Sequence, residues 1–174
     1  MKFVVISDTH GRYDLVRELL SIHRMRDGLL FLGDGIRDVS PVECAEGGGL
    51  FAAVRGNCDL LSSYEGYEYQ DELFLNLGEY NVIMMHGHTK DVKSGLDRAI
   101  LYASLRGADV LLYGHTHEPL EKYFPSGYEI GGKKLQKPLW VFNPGSLGAS
   151  WSGSHSYGLL QIKKGQLLLS HGEI

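Results

Sequence analysis

Five short, largely apolar runs punctuate the sequence, and each stops on residues able to bind a metal. The runs lie at 3–6, 29–32, 50–54, 80–85 and 110–113, and the first is continuously β-prone. Side chains alternate across a strand, so a continuous apolar run is typical of a strand buried on both faces. Between the runs the period changes. Leu15, Leu19 and Ile22 recur at helical spacing and predict an amphipathic helix over about 14–25. Leu96, Ala99, Ile100 and Ala103 predict a second helix that ends near Gly107. Strands alternating with helices predict β-α-β units and a largely parallel sheet. A further strand is expected at 139–142. The tail differs, because the runs at 157–162 and 166–169 flank Lys163-Lys164-Gly165 and predict a β-hairpin. Residues 68–77 read as another antiparallel piece, and the Gly/Pro clusters at 47–49, 125–132 and 143–148 as loops. With 174 residues, no internal repeat and no linker, one domain spanning 1–174 is expected. A chain of that length buries about 70% of its unfolded surface.

Composition narrows the function classes. A net charge of −4 argues against a long nucleic acid as partner, since backbone binding needs clustered Lys and Arg. It leaves a phosphate substrate open, because bound divalent cations can dominate the local field. Two cysteines, Cys44 and Cys58, are too few for a disulfide-stapled scaffold, so a reducing, cytoplasmic setting is the expectation. The run at 3–6 is too short for a signal-peptide core. No stretch approaches the ~18 apolar residues of a membrane helix, so no membrane partner is expected. A homo-oligomer is compatible with the sequence.

The chemistry sits where the strands end. The first delivers Asp8-Thr9-His10, the second Gly33-Asp34, and the third Gly56-Asn57-Cys58-Asp59. The 80–85 run ends in His86-Gly87-His88 and the 110–113 run in Gly114-His115-Thr116-His117. In open α/β sheets that edge is where ligands bind. Residues two apart near a strand end point to one side, so Asp8 with His10, and His115 with His117, are expected to converge. Imidazole nitrogens mixed with carboxylate and amide oxygens suit Mn, Fe, Zn or Ni rather than a thiolate or all-oxygen site. The seven candidate ligands are Asp8, His10, Asp34, Asn57, His86, His115 and His117. They are too many for one tetrahedral zinc and suit two metals sharing a carboxylate. Each residue alone has an ordinary structural alternative as a helix cap, turn residue or loop histidine. Five coincidences in one chain outweigh those alternatives.

Other residues receive plainer expectations. His23 and His155 are expected to be solvated, His171 to lie in the tail, and His88 to anchor its loop. Tyr64, Tyr67 and Tyr69 are expected to pack against a core rather than stack on bases. Arg55 reads as a structural ion-pair partner. Arg37 stays open between an ion pair and a phosphate contact.

Asp8-x-His10, Gly33-Asp34, Gly56-Asn57-x-Asp59, His86-Gly87-His88 and Gly114-His115-x-His117 resemble the five-block signature of the calcineurin-like metallophosphoesterases. Asn143-Pro144-Gly145-Ser146 resembles a later block of the compact members. The short length and the Asn57-Cys58 pair look most like the small one-domain bacterial and archaeal phosphodiesterases. The resemblance implies an α/β fold, a four-layer α/β-β/α sandwich of two mixed sheets flanked by helices. It implies one metal held by Asp8, His10 and His117, another by Asn57, His86 and His115, and Asp34 bridging them. Manganese is the foremost expectation, with Fe, Zn or Ni as alternatives.

The activity implied is hydrolysis of a small phosphate ester by attack of a metal-bridging hydroxide. Asp34, Asn57 and His86 are the residues at its centre. Asp59 is expected either to orient the histidines through their outer ring nitrogens or to serve as a turn residue or cap. Cys58 departs from the wider family, whose larger phosphomonoesterases carry His beside the metal-binding Asn. That departure favours a phosphodiesterase over the alternative of a broad-specificity phosphomonoesterase. A second alternative is a non-catalytic protein-interaction module, as a retromer subunit on a similar fold exemplifies.

Overall fold

The computed structural model describes residues 1–46, 49–60, 63–149 and 153–174. In chain order, β1 (Lys2–Ile6) leads into α1 (Tyr13–Ile22), β2 (Gly28–Phe31), the one-turn α2 (Pro41–Cys44) and β3 (Leu50–Ala53). A small ribbon, β4 (Ser63–Tyr64) and β5 (Tyr67–Glu68), precedes β6 (Glu72–Leu77) and β7 (Tyr80–Met85). Then come α3 (Asp97–Leu105), β8 (Val110–Tyr113) and β9 (Leu120–Phe124). A second ribbon, β10 (Glu129–Ile130) with β11 (Lys133–Lys134), leads to β12 (Leu139–Asn143), β13 (Ser156–Lys163) and β14 (Gln166–Glu173).

The strands form two five-stranded sheets, ordered β14-β13-β1-β2-β3 and β6-β7-β8-β12-β9. Within the first, β1, β2 and β3 run parallel, and within the second β7, β8 and β12 do. The flanking strands β13, β14, β6 and β9 pair antiparallel. There are thus two mixed sheets, as the resemblance implies, where strand–helix alternation alone predicts a largely parallel sheet. The reason is local. Parallel neighbours need a long crossover, whereas β6–β7 and β13–β14 are joined by two-residue turns that only antiparallel pairs can use.

Side-chain alternation then builds the layers. Phe3, Val5, Leu30 and Leu32 of the first sheet meet Val82, Met84, Val110, Leu112 and Phe142 of the second in one apolar core between the sheets. The intervening residues Val4, Ile6, Leu29 and Phe31 face outward onto Leu15, Val16 and Leu19 of α1. On the far side Ile83, Met85, Leu111 and Val141 pack on Ala99, Ile100 and Ala103 of α3. Three apolar seams make four layers, α/β-β/α. Each large apolar side chain so buried contributes about 1.5–3 kcal/mol relative to exposure.

Several boundaries differ from the periodicity. Helix α1 stops at Ile22 rather than near residue 25, because Arg26 intercepts its last carbonyls. That guanidinium donates to the oxygens of Leu20 and His23 and, across the layer, to those of Glu43 and Cys44. Strand β9, Leu-Glu-Lys-Tyr-Phe, has no apolar run to betray it, since it is an edge strand with exposed Glu121, Lys122 and Tyr123. The predicted loop at 125–132 contains β10. Of the predicted loop at 47–49, residues 47 and 48 lie outside the described residues. Among the described residues, no helix is long and apolar enough to cross a membrane.

The loop after β12 ties the two sheets together at one edge. Leu147 and Gly148 donate their N–H groups to the carbonyls of Ser7 and Asp8, both at 3.0 Å. Gly148 can approach this closely because it lacks a Cβ, which would stand 1.8 Å from the Thr9 carbonyl oxygen. Backbone meets backbone there, so neither side can rotate away. Gly148→Ala should therefore cost about 1–3 kcal/mol, the usual scale of overpacking, read as a fall in Tm. An unchanged Tm would mean that this crossing is loose.

Candidate metal centre

The C-terminal ends of the parallel strands from both sheets open on the same edge. Asp8 follows β1, Asp34 follows β2, Asn57 follows β3, His86 follows β7, and His115 with His117 follow β8. The pairs at 8/10 and 115/117 do not converge by strand alternation, as the spacing suggests. Asp8, His10, Asp34, His115 and His117 all have left-handed backbones, with φ of 55°, 45°, 62°, 69° and 61°. Such turns are uncommon outside glycine, although Asp and His tolerate them better than most residues. The left-handed turns swing each side chain out of the strand direction and into the seam between the sheets.

The donors fall into two groups. Asp8, His10 and His117 present ligand atoms within 4.8 Å of one another, and so do Asp34, His86 and His115. His117 Nε2 lies 3.1 Å from Asp8 Oδ1 and 3.4 Å from His10 Nε2. His86 Nε2 lies 3.3 Å from Asp34 Oδ2, 3.2 Å from Asn57 Oδ1 and 3.1 Å from His115 Nδ1. The seven side chains named from the sequence thus come together at one place.

Tautomers decide what these distances mean. His86 donates from Nδ1 to the Leu32 carbonyl at 2.8 Å, and His117 donates from Nδ1 to the Ala149 carbonyl at 2.8 Å. In each neutral ring the inward Nε2 then carries a lone pair, and it faces the oxygens just listed by distance. Asp8 is wholly buried. Its Oδ2 accepts from Ser7 Oγ at 2.5 Å and from the His115 N–H at 3.0 Å, while its Oδ1 is buried with no hydrogen bond. Lone pairs facing lone pairs in a buried site need positive charge between them. The orphaned Asp8 oxygen and the mixed N/O donor set both fit divalent cations.

Proton affinities report the same demand. Burial disfavours a charged His86, but the hydrogen bond its protonated ring would make to Asp34 and the charges of Asp8 and Asp34 outweigh it and raise its pKa. The Asp8 contact raises that of His117, against its burial. Burial opposes ionisation of Asp34, yet His86 and the Cys58 N–H hold its carboxyl well below the usual range. Burial and the neighbouring His86 charge push His115 down to about 4. Burial, followed by the Asp34 contact, pushes the Cys58 thiol up to about 11. The site draws protons beside its carboxylates, where a cation would serve the same purpose.

Asp59 does not orient the histidines, whose outer nitrogens go to the Leu32 and Ala149 carbonyls. It clamps backbone instead. Its Oδ2 accepts from the N–H groups of Asp34 at 2.8 Å and Gly56 at 2.7 Å, and its Oδ1 from Gly35 at 2.8 Å and Ile36 at 3.0 Å. The loops after β2 and β3 are thereby locked together around Asp34. Three framework residues received no role from the sequence argument. Asp38 accepts from Thr9 Oγ1 at 2.6 Å and the Gly11 N–H at 2.7 Å. Asn143 donates to the Gly114 carbonyl and Thr116 Oγ1, and Ser146 donates to the Asp8 carbonyl. Only the Asn143-Pro144-Gly145-Ser146 block signalled the last two, and nothing in the spacing singled out Asp38.

The remaining histidines are not simply solvated. His23 bonds the Tyr157 hydroxyl at 3.0 Å, and His155 donates to the Leu147 carbonyl at 2.8 Å. His171 donates to the Asn143 carbonyl and stacks on Phe142 with centroids 4.6 Å apart. His88 begins a 3₁₀ turn, its ring centroid 5.4 Å from that of His86. Tyr69 is buried in the core while Tyr67 is exposed against Phe51. Arg55 pairs with Asp71 at 2.6 Å. Arg37, with Ile36 and Leu60, lines a cavity of about 340 Å³ that also touches His10, Asp34 and Cys58. That volume falls in the range of small-molecule sites.

The sequence profile of the calcineurin-like phosphoesterase superfamily domain matches residues 1–165. The chain belongs to that superfamily. It is 27% identical over 148 residues to the probable metallophosphoesterase YsnB of Bacillus subtilis (strain 168), covering 84% of this chain and 75% of that protein. The crystal structure of a predicted phosphoesterase from Streptococcus pneumoniae TIGR4 superposes with a TM-score of 0.72 at 26% identity, over 98% of this chain and 87% of the other. Vacuolar Protein Sorting 29 from Cryptosporidium parvum shares the fold, with a TM-score of 0.67 at 17% identity over 99% and 97% of the two chains. The superfamily membership indicates phosphoesterase chemistry, and the His and Asp side chains are placed for metal binding.

The Asp59 clamp has a measurable consequence. Asp59→Asn replaces one accepting oxygen with a donor and leaves two N–H groups facing it. Hydrogen bonds to a charged group contribute about 1.5–3 kcal/mol each, so urea unfolding should show a loss of at least about 2 kcal/mol. Wild-type stability in this variant would rule out the clamp.

Proposed function

We propose that this chain is a dinuclear metal-dependent phosphoesterase acting on small phosphate esters, with a preference for phosphodiesters. One observation carries the proposal. The inward nitrogens of His86 and His117, their outer nitrogens committed to carbonyls, face carboxylate and amide oxygens across a buried seam. Asp8, His10 and His117 would hold one cation and Asn57, His86 and His115 the other. Asp34, within reach of both groups, would lie between them. When bound, two such cations lower the pKa of water and offset charge on the phosphate.

The chain's own residues do the rest. Leu32 and Ala149 fix two imidazoles in the tautomer that leaves their inner nitrogens free to coordinate. The Cys58 N–H holds Asp34 Oδ1 at 2.7 Å, which sets the carboxylate's angle and hence the spacing it imposes. The cavity beside Asp34 admits the ester, with Arg37 available to a charged group on it. Cys58 stands where the larger phosphomonoesterases carry His. A thiol donates a proton less readily than an imidazolium at neutral pH, so leaving groups that need little protonation are favoured. Diesters and activated aryl esters are such substrates. The complete donor set supports an enzyme over an interaction module on the same scaffold.

Metal-stripped protein titrated with manganese should bind two equivalents per chain. The reconstituted protein, assayed on a panel of mono- and diesters that includes 2′,3′-cyclic nucleotides, should hydrolyse the diesters faster. Saturation at one equivalent, or a clear preference for alkyl monoesters, would overturn the corresponding half of the proposal. Asp34→Asn tests the shared carboxylate separately. It should lower kcat/KM by more than His10→Ala does, and by more than the roughly 10–100-fold that losing an outer partner of a metal ligand costs. Near-normal turnover in folded Asp34→Asn protein would show that Asp34 bridges nothing.

A further inference from the structure

One donor, the Cys58 sulfur, is left over once the seven ligands have been assigned. Cys58 Sγ, His10 and Asp34 also present ligand atoms within 4.8 Å of one another, on the side of the centre that faces the cavity. Two contacts pin the sulfur there. The Cys58 N–H is bonded to Asp34 Oδ1 at 2.7 Å, and Asn57 Nδ2 points at the sulfur from 3.4 Å. Cys58 is exposed, so an incoming ion meets it before it meets the buried donors, whereas the only other cysteine, Cys44, is buried.

We infer that Cys58, His10 and Asp34 form a second binding mode for soft divalent cations such as zinc and cadmium, in which the Cys58 sulfur is a direct ligand. The inference shares His10 and Asp34 with the phosphoesterase proposal but adds a donor and a metal preference that the proposal does not contain. Donors around a tetrahedral zinc lie roughly 3.3–3.8 Å apart, given its bond lengths of about 2.0–2.3 Å. The ligand atoms of this triple, all within 4.8 Å of one another, lie near that spacing. On ligation the S–H proton passes to solvent and a sulfur–metal bond takes its place, with no change of oxidation state. Manganese prefers oxygen and nitrogen, so it has little use for the sulfur, while thiolate ligands select softer ions. The same centre would then distinguish metals by whether Cys58 joins. A soft ion held there would stand at the cavity mouth, where the ester must enter.

Cobalt(II) substitution reads this directly, without an activity assay. Metal-stripped full-length protein loaded with cobalt should show a sulfur-to-cobalt charge-transfer band in the near ultraviolet, and Cys58→Ser should abolish the band. In the same variant the dissociation constant for cadmium should rise on the order of tenfold or more, the scale on which even outer partners of a ligand act. The manganese constant should change far less. Cobalt that binds with the spectrum of nitrogen and oxygen ligands alone would overturn the sulfur site and leave the dinuclear proposal standing. A protein that retains neither cobalt nor manganese would overturn both. A cadmium constant that moves no more than the manganese constant on Cys58→Ser would also reject the inference, since the sulfur would then discriminate nothing.

Discussion

The face-to-face packing of the two sheets is the constraint on which everything else depends. Phe3, Val5, Leu30 and Leu32 against Val82, Met84, Val110, Leu112 and Phe142 hold two independent parallel triplets in one orientation. Only then do strand ends far apart in sequence open on the same edge. Neither sheet alone supplies a complete donor group. Asp8, His10, Asp34 and Asn57 come from the first, and His86, His115 and His117 from the second. Apolar burial thus performs a geometric task that no local motif could, by bringing ligand sets from two halves of the chain to within bonding distance.

Across that seam Asp8 carries the heaviest electrostatic load. It is fully buried, yet among the described residues only one of its side-chain oxygens finds a hydrogen-bond partner. The satisfied oxygen receives the hydroxyl of the preceding Ser7 and an N–H from the loop after β8 in the other sheet. Its main-chain carbonyl receives Ser146 and Gly148 from the loop after β12. One residue therefore joins both sheets while keeping an acceptor free. Asp59 and Asp38 play the complementary part, Asp59 accepting backbone N–H groups with both oxygens and Asp38 accepting the Gly11 N–H and the Thr9 hydroxyl with one. Acidic residues in this small region divide into those that hold the frame and those that keep an open face.

That division explains what was legible in the sequence. The parallel strands were readable because burial on both faces leaves an unbroken apolar run, and β7 and β8 match their expected limits. Donor residues stood out because polar side chains at the ends of such runs are conspicuous. Edge strand β9 was invisible for the opposite reason, since one exposed flank erases the pattern. The roles of Asp38 and Asp59 were hidden because they act on backbone groups, which carry no residue signature. Likewise His23 and His171 found partners distant in sequence, at Tyr157 and Asn143, and His155 found the Leu147 carbonyl across its own loop. Spacing alone could assign the donors to one place. It could not see that left-handed turns, rather than strand alternation, aim them inward.

Those left-handed turns have a consequence for how such a protein can change over time. Five donor residues hold a backbone conformation that an L-amino acid adopts at a cost of about 1–3 kcal/mol each when it is strained. A glycine at any of the five would relax the chain and remove a ligand in the same step. Selection for heat resistance alone would therefore erode this edge first, trading donors for a calmer backbone. Five non-glycine residues in that conformation mark the place where rigidity and usefulness pull the chain in opposite directions.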